Sequence, residues 1–155
     1  MNYQILNFKL INSKNSTLSV HQKDVNCPFE IKRIFYIYDF LNDSIRGEHA
    51  NLNSEFIFIA LNGNCEILID DGQTKQKIIL NDKTKGLYID KMIWKQMYNF
   101  SKDCILLVLT NTYYDEKEYI YDYKYFCELK NNMGGGFYIF IKSCVLFEYK
   151  IKCIL

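Results

Sequence analysis

The chain has 155 residues, 49% of them hydrophobic and 24% charged, the balance of one globular domain long enough to bury a core. Nineteen basic against eighteen acidic side chains leave a net charge of +1, too weak a field to hold nucleic acid or an anionic membrane, so neither is expected as a partner. Aromatic residues at 16% exclude a disordered chain and favour sheet.

The first fifteen residues, MNYQILNFKLINSKN, lack a basic stretch followed by a long apolar core and a small-residue cleavage site, so no secretory signal is expected. Six cysteines, none in a CxxC pair, read as free thiols in a reducing cytoplasm. Histidine occurs only at His21 and His49 and arginine only at Arg33 and Arg46. Chemistry that needs a proton carrier near neutral pH therefore has few places to reside.

Strand signals recur at short spacing from residue 31 to residue 110. Residues 34–40 (IFYIYDF) are β-branched and aromatic and end at the turn-prone Asn42-Asp43-Ser44. Residues 55–61 form a continuous apolar run that stops at Asn62-Gly63, and residues 64–70 reach Asp71-Gly72, a hairpin signal from which residues 75–80 return. Residues 87–89 and 104–110 add two more. No stretch before residue 112 holds helical periodicity over ten residues. Many short strands with close turns imply a closed or sandwiched antiparallel sheet, and runs apolar on both faces, 56–61 and 105–109, suit central strands between two layers. Tyr119, Ile120, Tyr123 and Phe126 then recur at near-helical intervals behind Asp115-Glu116, predicting a short helix packed outside the barrel.

Residues 131–155 read differently. A breaker cluster at 131–136 (NNMGGG) precedes a mostly apolar stretch with scattered lysines, too short and too charged to span a membrane. One reading is a final hairpin or edge strand. The other is that Met133 and three glycines mark ATG followed by GGG codons, a guanine run that slips in replication and would leave the tail out of frame. The expected division is a domain over 1–130 and a tail over 131–155.

The chemistry-bearing segment is Arg46-Gly47-Glu48-His49-Ala50-Asn51, which lies between two predicted strands. Strand alternation sends residues 49, 51, 53 and 55 to one face, so His49, Asn51 and Glu55 are expected to look into the barrel with Arg46 at its entrance. No histidine follows His49, and one imidazole with Glu55 and Asn51 is too thin a ligand set for a divalent transition metal, so no metal is expected.

Arg33-Ile34-Phe35-Tyr36, Arg46-Gly47-Glu48-His49-Ala50, Gly63-Asn64-Cys65, Asp71-Gly72, Gly86-Leu87-Tyr88-Ile89, Met92-Ile93-Trp94 and residues 114–120 (YDEKEYI) follow one another. In this order they resemble the cupin-fold sugar nucleotide 3,4-ketoisomerases, also found as the C-terminal domain of WxcM-like proteins. The resemblance covers about residues 30–126. It implies an all-β double-stranded β-helix, or jelly-roll barrel, and a homodimer. It also implies a substrate of the dTDP-4-keto-6-deoxyglucose type, converted on the way to 3-amino-3,6-dideoxyhexoses of surface polysaccharides. One departure is Asn51, where many members carry a second histidine. The tail after residue 130 matches nothing in the pattern.

Moving a ketone from C4 to C3 requires taking the acidified C3 proton, passing through an enediol, and delivering a proton to C4, with no metal or redox cofactor chemically required. His49 is the expected base, Asn51 a donor to a sugar oxygen, and Tyr36 or Tyr38 an additional donor or acid. Arg33 and Arg46 are the guanidiniums available to the diphosphate, and Trp94 either stacks on the thymine or fills the core. His21, in a polar stretch, is expected in solvent. Competing readings are a 3,5-epimerase, which would take up deuterium at C5, a non-catalytic sugar nucleotide-binding cupin, and a truncated half of a fused protein.

Overall fold

A computed structural model of the chain describes residues 1–41 and 43–134. The strands run β1 (Tyr3–Asn7), β2 (Leu10–Asn12), β3 (Thr17–Ser19), β4 (Arg33–Ile37), β5 (Arg46–Asn51), β6 (Phe56–Asn62), β7 (Cys65–Asp70), β8 (Lys75–Leu80), β9 (Lys85–Ile89), β10 (Trp94–Tyr98), β11 (Ile105–Thr110) and β12 (Tyr119–Ile120), and α1 covers Tyr123–Gly134. They build two five-stranded antiparallel sheets, β1-β9-β6-β11-β4 and β12-β5-β10-β7-β8, and a separate β2-β3 ribbon. The two large sheets enclose the double-stranded β-helix expected from the pattern.

Alternation decides what each strand offers to the interior. Phe56, Phe58 and Ala60 of β6 and Leu106 and Val108 of β11 meet Cys65, Ile67 and Ile69 of β7 and Met97 of β10 across the barrel. The opposite faces of β6 and β11 are apolar too because they carry a second layer. Ile57, Ile59 and Leu109 are covered by Phe8, Cys27 and Phe29 from the N-terminal segment. On the other sheet, Phe126 of α1 packs with Ala50, Met92, Trp94 and Ile120.

The expected hairpin forms at Asp71-Gly72. Asp71 Oδ1 accepts from the backbone N–H groups of Gln73 and Thr74 at 3.1 and 2.8 Å, and Gly72 takes the positive φ of 90° that the turn requires. The helix starts later than its periodicity suggests. Tyr119 and Ile120 pair with Asn51 and Ala50 of β5, and Asp122 caps α1 by accepting from Tyr125 N–H at 2.9 Å. Asp115 caps only a single 3-10 turn, Glu116–Glu118.

Residues 131–134 continue α1, whereas 135–155, with Cys144 and Cys153, lie outside the described residues. Cys27, Cys65, Cys104 and Cys127 are free thiols, the first three buried. Among the described residues no helix is long and apolar enough to cross a membrane.

Candidate active site

β5 and β10 pair with Lys95 opposite His49 and Gln96 opposite Gly47, so β5 carries one residue more than its partner between those two pairs. The irregularity has a backbone signature, φ of 91° at Gly47 and 54° at Glu48. It turns the Gly47 carbonyl oxygen onto His49 Nδ1 at 2.8 Å. A carbonyl oxygen only accepts, so Nδ1 carries the hydrogen and Nε2 keeps a bare lone pair. Gly47 also sits against its neighbour. A Cβ there would lie 2.6 Å from the Lys95 backbone oxygen.

His49 is half-buried, with the rings of Tyr119 and Tyr121 at 4.8 and 5.7 Å between centroids. Burial first, and then the charge on Lys95, press its imidazole down to about 4 against the opposing pull of the Gly47 hydrogen bond. At neutral pH the ring is uncharged and available as a base.

Opposite it lies Lys95, only 2% exposed. Its Nζ donates to Asn51 Oδ1 at 2.6 Å and rests 4.5 Å from the centre of the Phe56 ring. Burial brings this ammonium down to about 7; the Glu118 carboxylate works against that shift and Arg33 with it. Glu118 is itself buried and accepts from Ser54 Oγ, which in turn accepts from Thr112 Oγ1 at 2.5 Å. Asn51 is 1% exposed, and its Nδ2 has no partner among the described residues. Arg33 enters from β4, its guanidinium 5.5 Å from the Phe35 ring centre and 5.6 Å from that of Tyr114. Its Nε is likewise buried and unpartnered among the described residues.

The barrel thus gathers His49, Asn51 and Arg33 with Lys95, Glu118, Ser54 and Tyr119, at one end of an otherwise apolar interior. Other expected members lie elsewhere. Tyr36 on the outer face of β4 and Tyr38 just past its end stack on each other at 5.6 Å, 62% and 55% exposed, because Arg33, Phe35 and Ile37 occupy the inward positions. Neither reaches His49 within the chain. Trp94 is core: it faces away from Lys95 on β10 and packs edge-on against Tyr123 at 5.1 Å and against Phe126 at 5.8 Å, which removes it from any base-stacking role. Arg46 stands exposed at the start of β5.

Glu55 does not share a face with His49. β5 ends at Asn51, and the bend that follows sends Glu55 to Tyr88 Oη (2.7 Å) and Asn111 Nδ2 (2.8 Å), while Ser54 reaches the site instead. His21 is not in free solvent either. It is half-buried, edge-on to Phe8 at 4.3 Å, and burial lowers its pKa. Lys95, Glu118, Ser54 and Tyr119 escaped the sequence reading. The signal for Lys95 was the alternation Ile93, Lys95, Met97, in which one inward face reads apolar, charged, apolar. Among the described residues no three His, Cys, Asp or Glu side chains gather as metal ligands.

Comparison with known proteins adds three findings. The family model FdtA: WxcM-like, C-terminal matches residues 1–131. A TDP-4-oxo-6-deoxy-alpha-D-glucose-3,4-oxoisomerase from Aneurinibacillus thermoaerophilus is 39% identical over 126 residues, 81% of this chain and 91% of the relative. Among solved structures, the TDP-fucose-3,4-ketoisomerase WlaRA from Campylobacter jejuni is 91% identical with a TM-score of 0.84, covering 86% of this chain and 99% of that one. The TDP-quinovose 3,4-ketoisomerase WlaRB from the same organism is 40% identical with a TM-score of 0.79, covering 82% and 98%.

The seat of the imidazole is directly testable. Gly47→Ala places a Cβ against the Lys95 carbonyl at a positive φ and should cost about 1–3 kcal/mol. A thermal melt should show a clear drop; an unchanged melting temperature contradicts the close approach of β5 to β10.

Proposed function

The chain belongs to the FdtA (WxcM-like, C-terminal) family, and from that membership and the site we propose that it is a 3,4-ketoisomerase of TDP-4-keto-6-deoxyglucose. The observation that carries the chemistry is the neutral imidazole of His49, its Nδ1–H held by the Gly47 carbonyl and its Nε2 bare. Nε2 takes the C3 proton; the C3–H electrons form the C3=C4 bond and the carbonyl electrons move to O4. The imidazolium then returns the proton to C4, the O3–H proton passes to O4, and the carbonyl stands at C3. Atoms and charge balance with no net oxidation.

The nascent O4 anion needs donors. Asn51 Nδ2–H is the unpartnered buried donor nearest in register to His49, two residues along the same strand face. Tyr119 and Tyr121, beside His49, take the place that Tyr36 would have filled as additional donor or acid. Arg33 inside the barrel and Arg46 at the exposed start of β5 are the cations assigned to the diphosphate.

The named relatives are ketoisomerases, not 3,5-epimerases or binding modules. The 91% identity to a TDP-fucose enzyme, against 40% to a TDP-quinovose enzyme, favours the galacto configuration at C4 of the product. A 3-ketone is the form that an aminotransferase consumes, which supports a place in the cytoplasmic synthesis of 3-amino-3,6-dideoxyhexoses for surface polysaccharide. The exposed Ile34 and Tyr36 on β4, an edge strand, with Tyr38 just past its end, support a homodimer. The family match ending at residue 131, and the near-complete coverage of WlaRA by 86% of this chain, support reading the tail as separate from the isomerase domain.

Incubation with TDP-4-keto-6-deoxyglucose should give a 3-keto product whose proton NMR shows the small H4–H5 coupling of an axial C4 hydroxyl. His49→Asn should abolish turnover with the melting temperature nearly unchanged; a large loss of fold would make His49 structural, and retained turnover would remove it as the base. Because the unprotonated ring is the active form, activity is lost as pH falls through the folded-state value. The acid limb of kcat/KM should therefore lie toward 4, and a limb near the ordinary histidine value of 6.5 contradicts the burial argument. Sequencing the gene should show uninterrupted guanine through the codons of Gly134, Gly135 and Gly136; glycine codons ending in other bases remove the out-of-frame reading of the tail.

A further inference from the structure

Asparagine cannot carry a proton or a charge, so Asn51 alone is a weak stabiliser of an enediolate. What stands behind it is Lys95. An ammonium has donors and no acceptor, so the atom 2.6 Å from Nζ must be the Asn51 oxygen. That contact fixes the carboxamide in one of its two orientations and leaves Nδ2–H as the group without a partner. Asn51 is only 1% exposed, and a buried donor left unanswered is costly to stability. A folded protein that retains such a donor has a use for it.

Lys95 has a second relation to the site. Its Cα lies opposite that of His49 in the β5–β10 register, both residues face the interior, and its charge acts on the imidazole. Facing Lys95 are Arg33 from β4, His49 and Asn51 from β5, Phe56 from β6, and Glu118 from the 3-10 turn. One carboxylate among these groups does not bring the lysine back to its free-solution behaviour. A lysine held at this depth remains in balance between its two protonation states near neutral pH.

We propose that Lys95 is a positioning residue of the isomerase site, which locks Asn51 with its N–H toward the substrate and sets a positive charge behind the developing enediolate oxygen. The inference rests on the ketoisomerase reading and assigns within it the work for which Asn51 is insufficient. Lys95 moves no proton itself. A fixed positive charge interacts more strongly with an anionic O4 than with a neutral ketone, so it stabilises the transition state more than the bound ketone.

The test combines Lys95→Met, which keeps length and removes charge and donor, with Lys95→Arg, which keeps both. Lys95→Met should lower kcat by about 100- to 1,000-fold with the KM for TDP-4-keto-6-deoxyglucose little changed; Lys95→Arg should recover most of the loss. A double-mutant cycle with Asn51→Ala should be non-additive, the pair no slower than the slower single variant; additive losses contradict action through Asn51. In the substrate-free protein, NMR titration of His49 should move upward by about one pH unit in Lys95→Met; an unmoved titration contradicts the placing of the ammonium beside the imidazole. The wild-type rate should fall as pH rises through about 7, where the ammonium is lost, and this alkaline limb should disappear in Lys95→Arg. Should Lys95→Met fail to fold, Lys95→Gln, polar and uncharged, carries the same comparisons. Wild-type protein that does not convert the sugar overturns the reaction itself; wild-type turnover with Lys95→Met at full rate overturns only the role of Lys95.

Discussion

The hydrogen bond from His49 Nδ1 to the Gly47 carbonyl is the contact on which the site depends, and it exists because β5 carries one residue too many for its partner. In a regular ladder that carbonyl would be committed to the neighbouring strand. Here two successive residues with positive φ free it to face a side chain. Only glycine at position 47 permits the close approach of β10 that follows. A backbone irregularity, and not a carboxylate, therefore sets the tautomer of the one imidazole that lines the site. A carbonyl raises the basicity of the ring less than a carboxylate would, which leaves burial and the Lys95 charge to dominate.

The rest of the barrel makes that arrangement durable. Hydrocarbon from both sheets fills most of the interior, and each outer face carries a partial covering layer, the N-terminal segment on one and α1 on the other. Charge and polar side chains are confined to one end. There Lys95, Arg33, Glu118 and Asn51 sit at low effective dielectric, where each interaction is stronger than in water and each unmet hydrogen bond is expensive. Two buried nitrogens, Asn51 Nδ2 and Arg33 Nε, remain unmet among the described residues. Stability is given up at these positions.

Much of this was legible in the residues. Both fully apolar runs became central strands, the Asp71-Gly72 hairpin formed where its turn chemistry put it, and the scarcity of histidine pointed at His49 at once. What stayed hidden has physical causes. The N-terminal strands β1 to β3 are only three to five residues long and mostly exposed, and they form by pairing rather than by propensity. β10 gave no strand signal because its inward lysine broke the apolar pattern. Strict alternation through residues 49–55 failed because the chain bends after Asn51, which exchanged Glu55 for Ser54. Tyr36 and Tyr38 were placed a residue out of phase: the inward set on β4 is Arg33, Phe35 and Ile37.

With only two imidazoles in the chain, nitrogen-15 NMR of histidine-labelled protein at neutral pH reads the central claim most directly, the His21 signals being assigned by substitution. His49 should show a hydrogen-bearing, pyrrole-like Nδ1 and a bare, pyridine-like Nε2. An Nε2–H tautomer, or a fully protonated ring, would mean that no lone pair faces the substrate and would contradict the account.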